Sequence, residues 1–171
     1  MANKQDKNIH SFHMADISEK SVSHRRALAS GRIILGRKAF ELIASKGLPK
    51  GDALALAEFA GIQGAKMTPQ LIPLCHPISL SRAAVYTVLH REDHSAEVFC
   101  LAEIEQRTGV EMEALCGLSI ALLTIWDLAK PINPALEISA LRLLYKSGGK
   151  NGTWRHPDGL SAEAESILSG N

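Results

Sequence analysis

Between residues 114 and 129 the chain reads "ALCGLSIALLTIWDLA", a run whose only charge is Asp127. A helix needs about 20 apolar residues to cross a bilayer, so this run is too short for that role. A helix that is apolar on all sides is buried inside protein, and the run predicts a central core helix around which the other elements are layered. The preceding "TGVEMEAL" marks its start, with Thr108 as N-cap and Glu111 three residues later forming a capping box. Its end falls where Lys130 meets Pro131, because the residue before a proline is pushed out of the helical region.

The flanking segments supply the layers. "HRRALASGRII" (24–34) reads as a strand or a helix start, and Gly31 and Gly36 favour the strand. Residues 37–45 carry Ala39, Phe40, Leu42 and Ile43 at helical spacing, and "KGLPKGD" ends that helix. A second helix is expected from Asp52, as N-cap, to Lys66. "RAAVYTVLH" and "AEVFCLAEIEQ" form a hairpin across the polar tip "REDHS". In the second of these strands Val98, Cys100, Ala102 and Ile104 share one parity and Glu97, Glu103 and Glu105 the other, predicting a dry face and a wet one. "ALEISALRLLYK" supplies the last strand. The order β-α-α-β-β-α-β predicts an α+β fold, an antiparallel sheet with helices packed on one face. Residues 1–15 are expected to be a disordered arm, 16–152 a single α+β domain, and the Ser/Glu/Gly-rich residues 153–171 a flexible tail.

Composition narrows the partners. With 19 Lys and Arg against 18 Asp and Glu the formal net charge is +1, too weak a field to gather nucleic acid non-specifically, so any anion must be caught locally. Only 5% of residues are aromatic, and no strand carries a base-stacking motif. The three cysteines have no CxxC spacing and "MANKQDKNIHSFHMAD" lacks the apolar core of a signal peptide. A reducing cytoplasm, with no membrane association and no metal site, is therefore expected.

Chemistry-bearing residues concentrate in three places. In "LIPLCHPISL" Pro73 and Pro77 pin Leu74, Cys75 and His76 into an extended path, so Cys75 and His76 should point to opposite sides and cannot pair as thiolate and imidazolium. Cys75 reads as packing, and His76 as a donor, base or ligand, or as a satisfied core histidine. On the central helix Asp127 follows a long apolar run, with Lys130 three residues on as a ready counter-charge, while Glu113 lies fourteen residues earlier. Fourteen residues of helix are about 21 Å, so no small reacting centre touches both carboxylates within one chain. A pocket that uses both must combine two subunits. Finally, the glycines of "KSGGKNG" can turn backbone N–H groups toward an anion while Lys146 and Lys150 add charge, although the P-loop spacing is absent.

Taken together, "LIPLCHP", "TGVEMEAL", "GIQGAKMT" and "RLLYKSGGK" resemble the MoaC family of molybdenum-cofactor biosynthesis, over about residues 11–152. The resemblance implies a ferredoxin-like α+β subunit in a homohexamer, a trimer of dimers with active sites at the dimer interface. It implies a lyase acting on a carbon-bridged cyclic dihydroguanosine triphosphate, made from GTP by an upstream radical enzyme, and releasing cyclic pyranopterin monophosphate and pyrophosphate. By the same resemblance Asp127 and Lys130 are catalytic together with His76. Leu74, Cys75, His76, Met112, Glu113, Glu111, Arg25, Lys50 and Lys146 line the substrate pocket. No cofactor is required, and Mg²⁺ on the triphosphate is compatible with the sequence. The chain departs from the family pattern at Met67, in "EFAGI", and in "KPINPAL", where Pro131 and Pro134 follow Asp127. The rival readings are a catalytically inactive family member and a nucleotide- or RNA-binding α+β module.

Overall fold

In a computed structural model that describes residues 12–170, strand β1 (Ser23–Ile34) lies at the centre of the sheet. β1 pairs antiparallel with β3 (Ser95–Gln106) from Ser23↔Gln106 to Ile34↔Ser95, and on its other side with β4 (Glu137–Ser147). β2 (Arg82–His90) is the hairpin partner of β3 and forms one edge; β5 (Trp154–Arg155) forms the other. The order is β2-β3-β1-β4-β5. The expected α+β, ferredoxin-like antiparallel sheet is the observed architecture.

One face of this sheet carries all the helices but the C-terminal one, which lies on the opposite face against the expectation of a one-sided layer. α4 (Glu111–Ala129) crosses β1 at Gly31, where an added Cβ would stand 2.8 Å from Leu122 Cδ1. Its Ala114, Leu118, Ala121, Leu122 and Ile125 meet Ala27, Ala29 and Ile33 of β1 and Val98, Cys100 and Ala102 of β3 in one apolar core. α1 (Arg37–Ala44) adds Phe40 and Ile43. Burying each such large side chain contributes about 1.5–3 kcal/mol. The Cys100 thiol sits fully inside this layer, and burial pushes it up to about 12, so it is inert packing.

α2 (Ala53–Lys66) packs along α4 through small residues. A Cβ on Gly61 would lie 2.9 Å from the Gly117 carbonyl oxygen, and one on Gly117 would lie 2.8 Å from the Gly61 carbonyl oxygen and 2.6 Å from Cys100 Sγ. The two backbones therefore touch directly. Asp52 is the N-cap expected for α2, accepting from the Leu54 and Ala55 amides at 3.1 and 3.2 Å. α4 is also the one described helix long and apolar enough to cross a membrane, with a mean hydropathy of 1.6, and here it is the core helix predicted above.

Four expectations are corrected or bounded. The capping box does not form: α4 begins at Glu111 with Val110 as N-cap and no side-chain cap, and the Glu111 carboxylate turns to Lys146 instead. The second face of β3 is not simply wet. Phe99 and Leu101 are buried there with Leu28 and Leu144, under Ala164 of helix α5 (Ala162–Ser169). Residues 153–170 are accordingly not a flexible tail: β5 pairs with β4, and α5 is capped by Ser161 and docked on the sheet. The expected N-terminal arm falls mostly outside the described residues, since only 12–15 of it are among them.

Candidate active site

The segment that carries Leu74, Cys75 and His76 follows a single-turn helix α3 (Thr68–Leu71). It is not extended as expected. Pro73 takes the second position of a turn closed by the Cys75 amide on the Ile72 carbonyl at 3.1 Å, and only from His76 onward does regular structure cease. A proline at that position serves a turn as well as an extended path, because both accept its fixed φ. Leu74 is exposed, while Cys75 and His76 are half-buried. The Cys75 thiol is raised by burial and by its neighbours Glu113 and Cys116, which places it against the front of α4. His76 Nε2 lies 2.9 Å from the Ala15 carbonyl oxygen. A carbonyl only accepts, so Nε2 donates and Nδ1 is left as the acceptor nitrogen.

At the front of α4 Glu113 is buried, 3% exposed as a residue, and burial raises its pKa above the usual 4.5. Met112 beside it is exposed. Glu111 Oε1 accepts from Lys146 Nζ at 3.0 Å. Lys146 opens a cleft of about 260 Å³ that is also lined by Lys20, Arg25, Lys150 and Glu111. The glycines of "SGGKNG" form its wall. Gly148 and Gly149 have φ of +97° and +75°, and a Cβ on them would stand 2.2 Å from the His24 carbonyl oxygen and 2.1 Å from Arg25 Nη1. Any side chain there would expel the loop from β1. Arg25 is aimed by hydrogen bonds from Nε to the Gln106 carbonyl and from Nη2 to the Arg107 carbonyl, both 3.3 Å. With Arg26 also in the lining, five cations around one small cleft with a glycine-rich wall make an anion site.

At the far end of the same helix Asp127 stands between two ammonium groups, Lys130 Nζ at 2.7 Å and Lys50 Nζ at 3.0 Å. The hydrogen bond from Lys130, followed by that from Lys50, holds the Asp127 carboxyl below its ordinary range. Lys50 comes from the loop before α2, anchored by buried Leu48 and turned at Gly51, whose φ is +108°. All three side chains are about half exposed, so the triad is held in shape while open to a ligand.

The structure thus divides the predicted residues into two groups. Arg25, Glu111 and Lys146 meet at the cleft, with Cys75 and Glu113 together near the same end of α4; Lys50, Asp127 and Lys130 meet at the other end, about 21 Å away along the axis. Lys20 was absent from the sequence-derived set. It sits in a turn closed by its own amide on the Ile17 carbonyl, in a strap that Arg107 holds through the Ser18 carbonyl. An isolated lysine in a polar, aperiodic stretch gives no signal of its own; only its position just upstream of Arg25 and Arg26 could have pointed to it.

Comparison with known proteins gives one consistent result. Residues 14–149 match the model of the MoaC family. The chain is similar to the cyclic pyranopterin monophosphate synthase of Streptomyces griseus, with 46% identity over 151 residues that cover 87% of this chain and 84% of that protein. It is 45% identical to the protein of the same name from Helicobacter pylori over 141 residues, 82% of this chain and 89% of that one. The Chloroflexus aggregans protein of that name is 42% identical over 145 residues, covering 85% and 88%.

Proposed function

The chain belongs to the MoaC family, and on that footing we propose that it carries out the cyclic pyranopterin monophosphate synthase reaction of molybdenum-cofactor biosynthesis. The substrate is a carbon-bridged cyclic dihydroguanosine triphosphate derived from GTP, supplied by an upstream radical enzyme. The observation that carries this reading is the pair of half-sites on α4: a cationic cleft at one end and a lysine-flanked carboxylate at the other.

The substrate brings about four negative charges, which a water-excluding site must balance. Lys20, Arg25, Lys146 and Lys150 form a cradle suited to a triphosphate. The reaction opens a five-membered ring by hydrolysis, rebuilds it as a pterin, and closes a cyclic phosphate. In the last step a sugar hydroxyl attacks the α-phosphorus, its proton passes to a base, and the bond to pyrophosphate breaks. Asp127, kept ionised by two lysines, is the base. When those lysines turn to the substrate's charges, the carboxylate loses the partners that depress its pKa and becomes a stronger base. Glu113, whose carboxyl is biased by burial toward the protonated form, suits donation to a ring nitrogen, and His76 presents Nδ1 as acceptor. Leu74 and Met112 offer exposed apolar contact to the ring system.

Because the two half-sites lie about 21 Å apart on one helix, a working pocket joins the Asp127 end of one subunit to the cleft of another. This supports the homohexamer, a trimer of dimers with the pocket at each dimer interface. Among the described residues no three His, Cys, Asp or Glu side chains converge on one point; Mg²⁺, where it takes part, enters as the counter-ion of the triphosphate. The three cysteines are all free, in keeping with a cytoplasmic setting. Incubating the purified chain with the cyclised GTP derivative tests the reading. Cyclic pyranopterin monophosphate and pyrophosphate should accumulate together, and intact substrate after many enzyme equivalents of time would refute it.

A further inference from the structure

The match to the family model ends at residue 149, and β5 and α5 lie beyond it. We propose that residues 154–169 are a positioning element for the anion cleft, closing its glycine-rich wall into a hairpin turn and holding that turn in its binding shape.

Three observations carry this. First, β5 begins two residues after the loop 148–152 and pairs Trp154 with Lys146 and Arg155 with Tyr145, while the His156 amide donates to the Leu144 carbonyl at 2.8 Å. Lys146, a cleft lysine, is thereby held between β1 on one side and β5 on the other. Between the strands the loop turns through a hydrogen bond from the Gly152 amide to the Gly149 carbonyl at 3.2 Å. Second, β5 is secured by α5. Arg155 pairs with Glu165 of α5 and lies 5.6 Å over the Tyr145 ring, and Ala164 is fully buried against Leu28, Phe99, Leu101 and Leu144. Third, the end of α5 reaches the cleft itself. The Leu168 carbonyl accepts from Arg26 Nη2 at 2.9 Å, and Arg26 also lines the cleft.

Without β5 the loop 148–152 would be tethered at one end only. Its five residues, with glycine at 148, 149 and 152, are the most freely rotating kind, and an anion would have to order them on binding. With β5 and α5 in place that ordering is complete in the folded chain, which is preorganisation in the strict sense. The main apolar core on the helical face does not include α5, so α5 can be undocked while the catalytic fold persists.

The inference builds on the proposed reaction, and its test separates the two. Pyrophosphate binding to the full-length chain is measured by calorimetry, kcat and KM are measured with the cyclised GTP derivative, and hydrogen exchange at the His156 amide reports whether β5 is paired. Ala164→Asp, which buries a charge under α5, should speed exchange at His156 and raise both Kd and KM about tenfold while kcat stays within about twofold. Arg155→Ala should give a smaller rise of the same kind, reversed by Arg155→Lys. Should Ala164→Asp fail to fold, the Arg155 pair decides the matter. Fast exchange at His156 with unchanged Kd overturns the proposal, as does a loss of kcat at constant KM, or no pyrophosphate binding by the wild-type chain. A wild-type chain that binds pyrophosphate without turning over substrate overturns the reaction instead, and Kd alone then decides the role of residues 154–169.

Discussion

Two carboxylates on α4 live under opposite rules. Asp127 is half exposed and flanked by Lys130 and Lys50, which hold its proton off. Glu113, about four turns earlier, is buried, and burial raises its pKa above the usual range. The side chains differ by one methylene, so residue type does not assign their roles. Their surroundings do, and a pair of acids driven apart in pKa is what acid–base chemistry near neutral pH needs. The comparison also teaches where the protein spends stability. The Asp127 end is stabilised by solvent-screened pairs of small worth, while the Glu113 end carries a buried group whose ionisation works against the fold.

The sharpest way to break the comparison is at its ionised member. Asp127→Asn keeps shape and hydrogen bonding but removes the carboxylate proposed as the base, and kcat should fall by about 10² or more with an unchanged thermal transition; near-normal turnover would take Asp127 out of the mechanism. Next in size is a complementation experiment. After subunit exchange between inactive Asp127→Asn and inactive Glu113→Gln chains, random pairing makes about a quarter of two-subunit pockets whole. Activity should rise to roughly that fraction of wild type. Mixed oligomers, confirmed by mass, that stay inactive would mean that each subunit holds a complete pocket.

A smaller contrast sits in the "LCHP" segment. His76→Ala should lower kcat/KM by about tenfold or more through loss of the Nδ1 acceptor, whereas Cys75→Ser should lower it only a few-fold, its thiol being kept protonated by burial and by Glu113. A dead Cys75→Ser enzyme with an active His76→Ala enzyme reverses the assignment. The smallest effect is on stability. Glu113 has a raised folded-state pKa, so the folded chain binds more protons than the unfolded one between the usual 4.5 and the raised value. Stability is then fully present below about 4.5 and declines as pH rises through the folded pKa. Glu113→Gln should therefore raise Tm at pH 7, and the gain should vanish below pH 4.5. A Tm gain that persists unchanged in acid would show that ionisation of Glu113 is not its source.

Much of this was legible from the residues alone, for reasons that can be named. The 114–129 run located α4, and Asp52 announced α2, because burial of a helix and an Asx cap leave their mark in local sequence. The two-ended site followed from counting fourteen residues between Glu113 and Asp127. What escaped was set by tertiary contact. Thr108 and Glu111 have capping-box spacing, yet Lys146 on a strand distant in sequence offers Glu111 a stronger partner than a backbone amide does. In the C-terminal region Leu160, Ala164, Ile167 and Leu168 do keep a helical spacing, and all four meet the second cluster. Their signal was diluted by the surrounding Ser, Glu and Gly. Phe99 and Leu101 recorded the same buried face, but the glutamates at 97, 103 and 105 on the same parity hid it.

The direct meeting of Gly61 and Gly117 reaches further than the packing of two helices. Side chains in a core loosen on warming by hopping between rotamers; a seam of peptide against peptide has none to hop between. Lys50 hangs just before the first turn of α2 and Asp127 lies on α4, so the spacing of the two backbones that carry them is inherited from that seam. Its width is a sum of atomic radii. The footing of the ion pair should therefore be nearly athermal, the two helices holding their spacing as the protein warms while the exposed lysines above them stay free to turn.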